Sequence, residues 1–203
     1  MNNFDRPALR KALRAKRRAL TTLEKITAAH ALADRIIRHP LFINSASIAA
    51  YTAHDNEIDP LEIVQAAWEL KKSVYLSALH SEDSNSLIFR PWTPNTPLGP
   101  NKYGILEPVH ENRGDACVAP TVDTVDLVLL PLVGFDARCN RLGVGAGYYD
   151  RTFAFLNQKP RPKKPILMGL AYEFQRVDTL PTEWWDVPLN GVMTENNFYK
   201  ANI

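Results

Sequence analysis

The chain is short of cysteine, of long apolar runs and of ordered histidine spacing, and each shortage narrows its class. Its two cysteines, Cys117 and Cys139, have neither metal nor redox spacing, so a reducing, cytoplasmic setting is expected. No segment approaches the ~18 uncharged apolar residues of a membrane span. The longest apolar run, Leu127 to Phe135, is broken by Pro131, so no membrane association is expected. The opening residues, Met1 to Pro7, lack the apolar segment of a signal peptide. The histidines, at 30, 39, 54, 80 and 110, show no ligand spacing and are expected to be structural or exposed. Between residues 5 and 41 there is no aromatic side chain, which removes the base-stacking partners that nucleic-acid binding by this segment would want.

What is present is ordinary globular composition: 45% hydrophobic and 23% charged residues exclude disorder, collagen and coiled coil. At 203 residues, one domain spanning 1–203 is expected. The net charge of +2 conceals an asymmetry. Residues 1–38 hold ten Lys and Arg against three acids, giving +7, and the rest of the chain carries −5. The basic excess therefore belongs to the N-terminus and calls for an anion there.

Periodicity predicts a helix over 8–20, with Leu9, Leu13 and Leu20 on one stripe and Arg10, Lys11, Arg14, Arg17 and Arg18 on another. A second helix, 23–39, has Ile26, Ala29, Ala33, Ile36 and Ile37 as its buried face, with Pro40 as its stop. Strands are expected at 47–51, 73–76, 87–89, 126–131, 165–171 and, last, 191–194. A helix follows Asp59, expected as N-cap with Glu62 completing a capping box, and shows Leu61, Val64, Ala67 and Trp68 as its apolar face. Another helix is expected over 148–156. Residues 91–100 carry four prolines and are expected to be loop, and 158–165 a basic surface connection. Trp184 and Trp185 are expected to close the core. Alternating strands and helices point to an α/β sandwich around a mostly parallel sheet.

Three of the nine glycines fall within Gly143-Val144-Gly145-Ala146-Gly147, between a strand and a helix. Backbone N–H groups in such a loop can bind phosphate oxygens. Arg141 can add a charged fork, and Asp150 can hold magnesium beside a phosphate. The spacing is neither a dinucleotide fingerprint nor a P-loop, and a plain strand-to-helix turn is the alternative.

Phe135-Asp136 and the run Arg141–Arg151 resemble the signature of the 5-formyltetrahydrofolate cyclo-ligase family, whose enzyme is also called 5,10-methenyltetrahydrofolate synthetase. Leu9-Arg10, Arg17–Leu20, Glu57, Gly104–Pro108 and Asp186–Leu189 extend the resemblance over nearly the whole chain. It implies a three-layer fold like the sugar-phosphate isomerase and coenzyme A transferase group, and an ATP- and Mg²⁺-dependent ring closure. The formyl oxygen of 5-formyltetrahydrofolate, with or without a polyglutamate tail, would be phosphorylated and displaced by N10. The resemblance assigns Arg6 and Arg10 to ATP, together with Arg141, Leu142, Gly143, Val144, Gly145, Ala146, Gly147, Tyr148 and Tyr149. Thr52 and Glu57 fall at substrate positions, and residues 144–148 border the folate as well. Asp150 and Asp186 would hold Mg²⁺, with Arg141 and Asp150 carrying the catalysis. A monomer without nucleic-acid partners is expected.

One departure stands out: where the family usually has Gly, three residues after Asp136, this chain has Cys139. A left-handed backbone there would strain Cys139, and Asn140 is expected to absorb the turn. The other bases of the first helix, Lys11, Arg14, Arg17 and Arg18, are expected to be solvated or locally paired. Two further readings are a nucleotide- or folate-binding protein without turnover, and a nucleic-acid module using the basic helix. The joint presence of Glu57, Arg141, Asp150 and Asp186 disfavours the first.

Overall fold

A computed structural model describes residues 4–80, 85–109 and 121–202. The expectations for Cys117 and His110, and for the first three residues, lie outside them. Helix α1, Arg6–Ala19, starts where the Asp5 carboxylate accepts from the Ala8 N–H, and buries only Leu13 and Arg17. Helix α2, Thr22–Ile37, has a reciprocal capping box between Thr21 and Glu24. Its buried stripe is Ala29, Leu32, Ala33 and Ile36, whereas Ile26, expected on that face, is exposed. Pro40 does not simply end the helical run: it opens the short α3, Pro40–Ile43, where a proline lacking an N–H costs nothing.

The remaining elements form the expected mixed α/β pattern, but strict alternation fails, because the strands between residues 73 and 142 follow one another with no described helix among them. In chain order they are β1 (Ser47–Ala50), α4 (Leu61–Glu69), β2 (Ser73–Leu79), β3 (Leu87–Pro91), β4 (Leu98–Pro100) and β5 (Leu106–Pro108). Then come β6 (Leu127–Pro131), β7 (Gly134–Asp136), β8 (Arg141–Leu142), α5 (Tyr148–Thr152) and a 3₁₀ turn at Ala154–Asn157. The chain finishes with β9 (Ile166–Leu170), β10 (Arg176–Val177), β11 (Gly191–Met193) and β12 (Phe198–Lys200). The main sheet has the order β12-β11-β9-β6-β1-β2-β3, parallel except for an antiparallel strand at each edge. Side chains alternate across it. Ile48, Ala50, Leu127 and Leu129 enter the core under α2 and α4, while Ala49, Val128 and Leu130 enter a second core on the other face. No described helix is long and apolar enough to cross a membrane.

Four local expectations are overturned. Residues 91–100 are not all loop, because Leu98–Pro100 pairs antiparallel with Leu106–Pro108. The Asn101 carboxamide accepts from the Tyr103 and Ile105 N–H groups and Gly104 takes φ +77°, so this turn closes despite the prolines. Strand β11 is not the last, since β12 pairs with it. The Asp59–Glu62 capping box does not form. Asp59 accepts from the Leu61 N–H, but the Glu62 carboxylate pairs with His30 of α2 at 2.8 Å, and Leu61 itself is exposed. The expected 148–156 helix breaks after Thr152 into the 3₁₀ turn.

Candidate active site

The parallel strands β1 and β6 end at the floor of a cavity of about 930 Å³, where Tyr51, Thr52, Pro131 and Leu132 follow or finish them. The carboxyl ends of parallel strands are where α/β sheets gather ligand-binding loops. Helix α1 forms one wall. Arg6, Arg10 and Arg14 recur every four residues and face the cavity along one stripe. The β8–α5 loop lines the cavity beside the helix, in contact with Arg10. Every residue that the family resemblance assigned to a site lines this one cavity: Arg6, Arg10, Thr52, Glu57, the run 141–150, and Asp186.

The glycine loop is held by arginines from both sides. Arg10 donates from Nε to the Gly143 carbonyl at 2.8 Å, and its guanidinium lies against Gly145, which takes φ +111°. Burial, with Arg6 nearby, lowers the Arg10 pKa. Gly147 begins α5 at φ +70°, and a Cβ there would sit 2.7 Å from the Arg151 guanidinium. Arg151 in turn donates to the Ala146 carbonyl at 2.8 Å. The left-handed backbone angle favours glycine at 147, whereas the flexible Arg151 side chain can move aside for a Cβ.

Two ion pairs cross the cavity wall. Arg141, 6% exposed, bonds Asp150 Oδ1 at 2.7 Å and lies over the Tyr149 ring. Arg6 meets Asp186 Oδ2 at 3.3 Å and donates to the Pro181 carbonyl. Backbone N–H groups complete the set: Val187 donates to Asp150 Oδ1 and Glu183 to Asp186 Oδ2. Among the described residues, Asp150 Oδ2 and Asp186 Oδ1 make no hydrogen bond.

Glu57 is a nearly buried carboxyl of the cavity wall. Burial pushes its carboxyl up to about 7, with the Asp55 charge adding to the rise and Arg17, 4.0 Å away, opposing it. Tyr149 is packed against Phe153 and driven up to about 12 chiefly by burial, which makes it a packing residue. Tyr148 stays at the cavity surface, its hydroxyl 3.0 Å from that of Tyr103. Thr52 lines the cavity, but its hydroxyl donates to the Leu106 carbonyl and so anchors the β4–β5 hairpin.

Three expectations about this region fail. Trp184 and Trp185 do not close the core. They are 84% and 49% exposed at the cavity edge, packed edge-to-face on each other. Arg14, Arg17 and Arg18 are not paired locally: all three bind the distant Asp55, with Arg17 buried while Arg14 and Arg18 stay partly exposed. Cys139 itself takes the left-handed backbone at φ +64°, because Asn140 is tied down by three contacts to Asp136. Sequence reasoning also gave no role to Asn101, Tyr103 and Glu107, which reach the cavity from the hairpin, or to His54, exposed on its rim. The Gly104–Pro108 landmark was the available signal for the hairpin. Because Trp184 and Trp185 are the exposed tryptophans of the cavity edge, ligand entry should alter the protein's tryptophan emission. A Trp184→Phe variant is expected to lose most of that change in a fluorescence titration.

Fold and cavity together define an α/β protein with an arginine-lined ligand site at the carboxyl edge of a parallel sheet. The model of the 5-formyltetrahydrofolate cyclo-ligase family matches residues 2–195. The 5-formyltetrahydrofolate cyclo-ligase of Haemophilus influenzae is 36% identical over 197 residues, covering 95% of this chain and 99% of that protein. The Escherichia coli K12 enzyme of the same name is 32% identical, covering 93% and 99%. The solved 5,10-methenyltetrahydrofolate synthetase of Aquifex aeolicus superposes with a TM-score of 0.80 at 27% identity, covering 98% of this chain and 94% of that one. That of Mycoplasma pneumoniae gives 0.70 at 25%, covering 95% and 99%. The chain belongs to the 5-formyltetrahydrofolate cyclo-ligase family.

Proposed function

We propose that this protein closes 5-formyltetrahydrofolate to 5,10-methenyltetrahydrofolate at the expense of ATP. A formyl amide is a poor electrophile and its oxygen a poor leaving group. Transfer of the γ-phosphoryl group breaks the bond to ADP and places phosphate on the formyl oxygen. N10 then adds to the formyl carbon and gives up its proton, and the C–O bond breaks, so phosphate leaves with the formyl oxygen. Positioning and charge neutralisation are the protein's main contributions to such a transfer.

The observation that carries this reading is the convergence of one set of residues on one cavity. Arg6, Arg10 and Arg141 supply three guanidiniums around a loop whose glycines leave its backbone open to phosphate oxygens. Glu57 lies on the inner wall, where a carboxylate suits the donor groups of a pterin ring. Residues 144–148 line the same cavity and would border both substrates.

Asp150 and Asp186 would hold Mg²⁺. Each keeps one carboxylate oxygen without a hydrogen bond among the described residues, and magnesium commonly takes one or two carboxylates with substrate phosphates. A bound magnesium would neutralise phosphate charge. Arg6 and Arg141 rest on these carboxylates, so they would stand beside a phosphate bound there.

Mixing the protein with 5-formyltetrahydrofolate, ATP and Mg²⁺ should produce the methenyl chromophore, followed by absorbance. Folded protein that yields none beyond the enzyme-free control contradicts the reading. Arg10→Ala is expected to raise the KM for ATP about tenfold or more with a smaller change for the folate, since it removes a charged hydrogen-bond donor at the loop. Equal losses for both substrates, measured in the same assay, would point to general damage to α1.

A further inference from the structure

Helix α1 carries the arginines assigned to ATP, yet Leu13 is its one buried apolar side chain. Arg6 and Arg10 tie its first half to Asp186 and the glycine loop, and its second half converges on one carboxylate. Arg14 Nε and Arg17 Nη2 reach Asp55 Oδ2 at 2.7 and 3.1 Å, and Arg18 Nε reaches Oδ1 at 2.6 Å. Three guanidiniums that would otherwise repel share this anion, and one of them, Arg17, is 1% exposed and cannot turn to water. Burial would raise the Asp55 carboxyl, but the hydrogen bonds from Arg18, Arg14 and Arg17 outweigh it and hold it at about 2, so it stays charged.

Asp55 also sits in an unusual turn. Asp55 and Asn56 take φ +48° and +59° in succession, a conformation that only short polar residues and glycine adopt readily. The Asn56 side chain is held from α2 by Lys25 Nζ at 2.9 Å. The turn delivers Glu57 directly: Glu57 donates its N–H to the His54 carbonyl, and its carboxylate accepts from the His54 N–H. Arg17 touches both Asp55 and Glu57. One clamp therefore fixes the helix bearing Arg6 and Arg10 and the turn bearing Glu57.

We propose that Asp55 is a positioning residue that couples the two ends of the cavity, seating the arginines of α1 and presenting Glu57 through one shared ion cluster. The inference rests on the functional reading above, with ATP against α1 and the pterin against Glu57. A ligand that orders α1 at one end stiffens the turn at the other, so nucleotide and folate tighten each other's binding. The effect is reciprocal by thermodynamic necessity.

The test compares wild type with Asp55→Asn, which keeps the shape and tolerates the left-handed backbone but removes the charge. Binding of a non-hydrolysable ATP analogue and of 5-formyltetrahydrofolate is measured separately and together, alongside the KM for each substrate. In wild type each ligand should tighten the other by about fivefold or more. In Asp55→Asn that factor should fall towards one, with both KM values raised. A purely structural role would lower the folded fraction and leave the coupling factor of the folded protein unchanged. Arg18→Ala, which removes an exposed arm of the clamp, provides the same readout should Asp55→Asn fold poorly, and should lose part of the coupling. Coupling that survives in the folded variants, or is absent from wild type, overturns the proposal. Wild-type turnover in the same preparation bears on the ring-closure reading alone, so the two claims fail separately.

Discussion

Asp150→Asn is expected to lower turnover by about 10²–10³-fold, the cost typical of removing one preorganised electrostatic group from an active site. Asparagine preserves the shape and the Oδ1 acceptor, so hydrogen bonds from Arg141 and the Val187 N–H can persist. What it removes is the negative charge, which has two uses here: it neutralises the nearly buried Arg141, and it would help hold magnesium on the phosphates. Weakening a charge-assisted bond costs about 1–3 kcal/mol of stability. At roughly 2–4 °C per kcal/mol for a chain of this size, the protein should remain folded at assay temperature. Saturating kinetics paired with a thermal melt checks this. A folded variant retaining a third of wild-type turnover would remove Asp150 from the mechanism.

Glu57→Gln should move stability and binding in opposite directions. The Glu57 carboxyl is raised to about 7 in the folded chain, so between its ordinary value near 4.5 and about 7 the folded state binds more protons than the unfolded state. Folding stability contributed by this group is therefore full below about pH 4.5 and is lost as pH rises through 7. Glutamine mimics the protonated form. At pH 8 the variant should be more stable by about 3 kcal/mol, since each pKa unit corresponds to about 1.4 kcal/mol, and the difference should vanish towards pH 4.5. Urea unfolding at several pH values reads this directly. Folate affinity should instead fall about 10–100-fold, as expected for loss of a charged hydrogen-bond partner. In wild type, folate binding should strengthen from pH 6 to 8 as Glu57 ionises. A variant that is less stable at pH 8, or that binds folate unchanged, contradicts the assignment.

Much of this architecture was legible because it is periodic. The apolar stretch of β6 is buried on both faces, as a central parallel strand must be, and the stripe Ala29–Ala33–Ile36 marked the face of α2. The loop 143–147 was legible because glycine is scarce elsewhere in the chain. The missed features depend on partners distant in sequence. Asp55 is an ordinary turn residue until α1 folds back and brings three arginines to it. The β4–β5 hairpin was hidden by prolines that normally mark loops, while its closure depends on the side chain of Asn101. Trp184 reads as core by residue type, yet its surroundings leave it at the cavity edge. Cys139 was identified as a strained position, and the structure places the left-handed backbone there, because Asp136 fixes its neighbour.

The central claim is that ATP activates the formyl oxygen of 5-formyltetrahydrofolate in this cavity, and atom balance makes it testable in one measurement. Substrate labelled with ¹⁸O in the formyl group is turned over with ATP and Mg²⁺, and the released inorganic phosphate is analysed by mass spectrometry. One labelled oxygen is expected in each phosphate, in step with methenyl product. Methenyl product accompanied by unlabelled phosphate would contradict the claim.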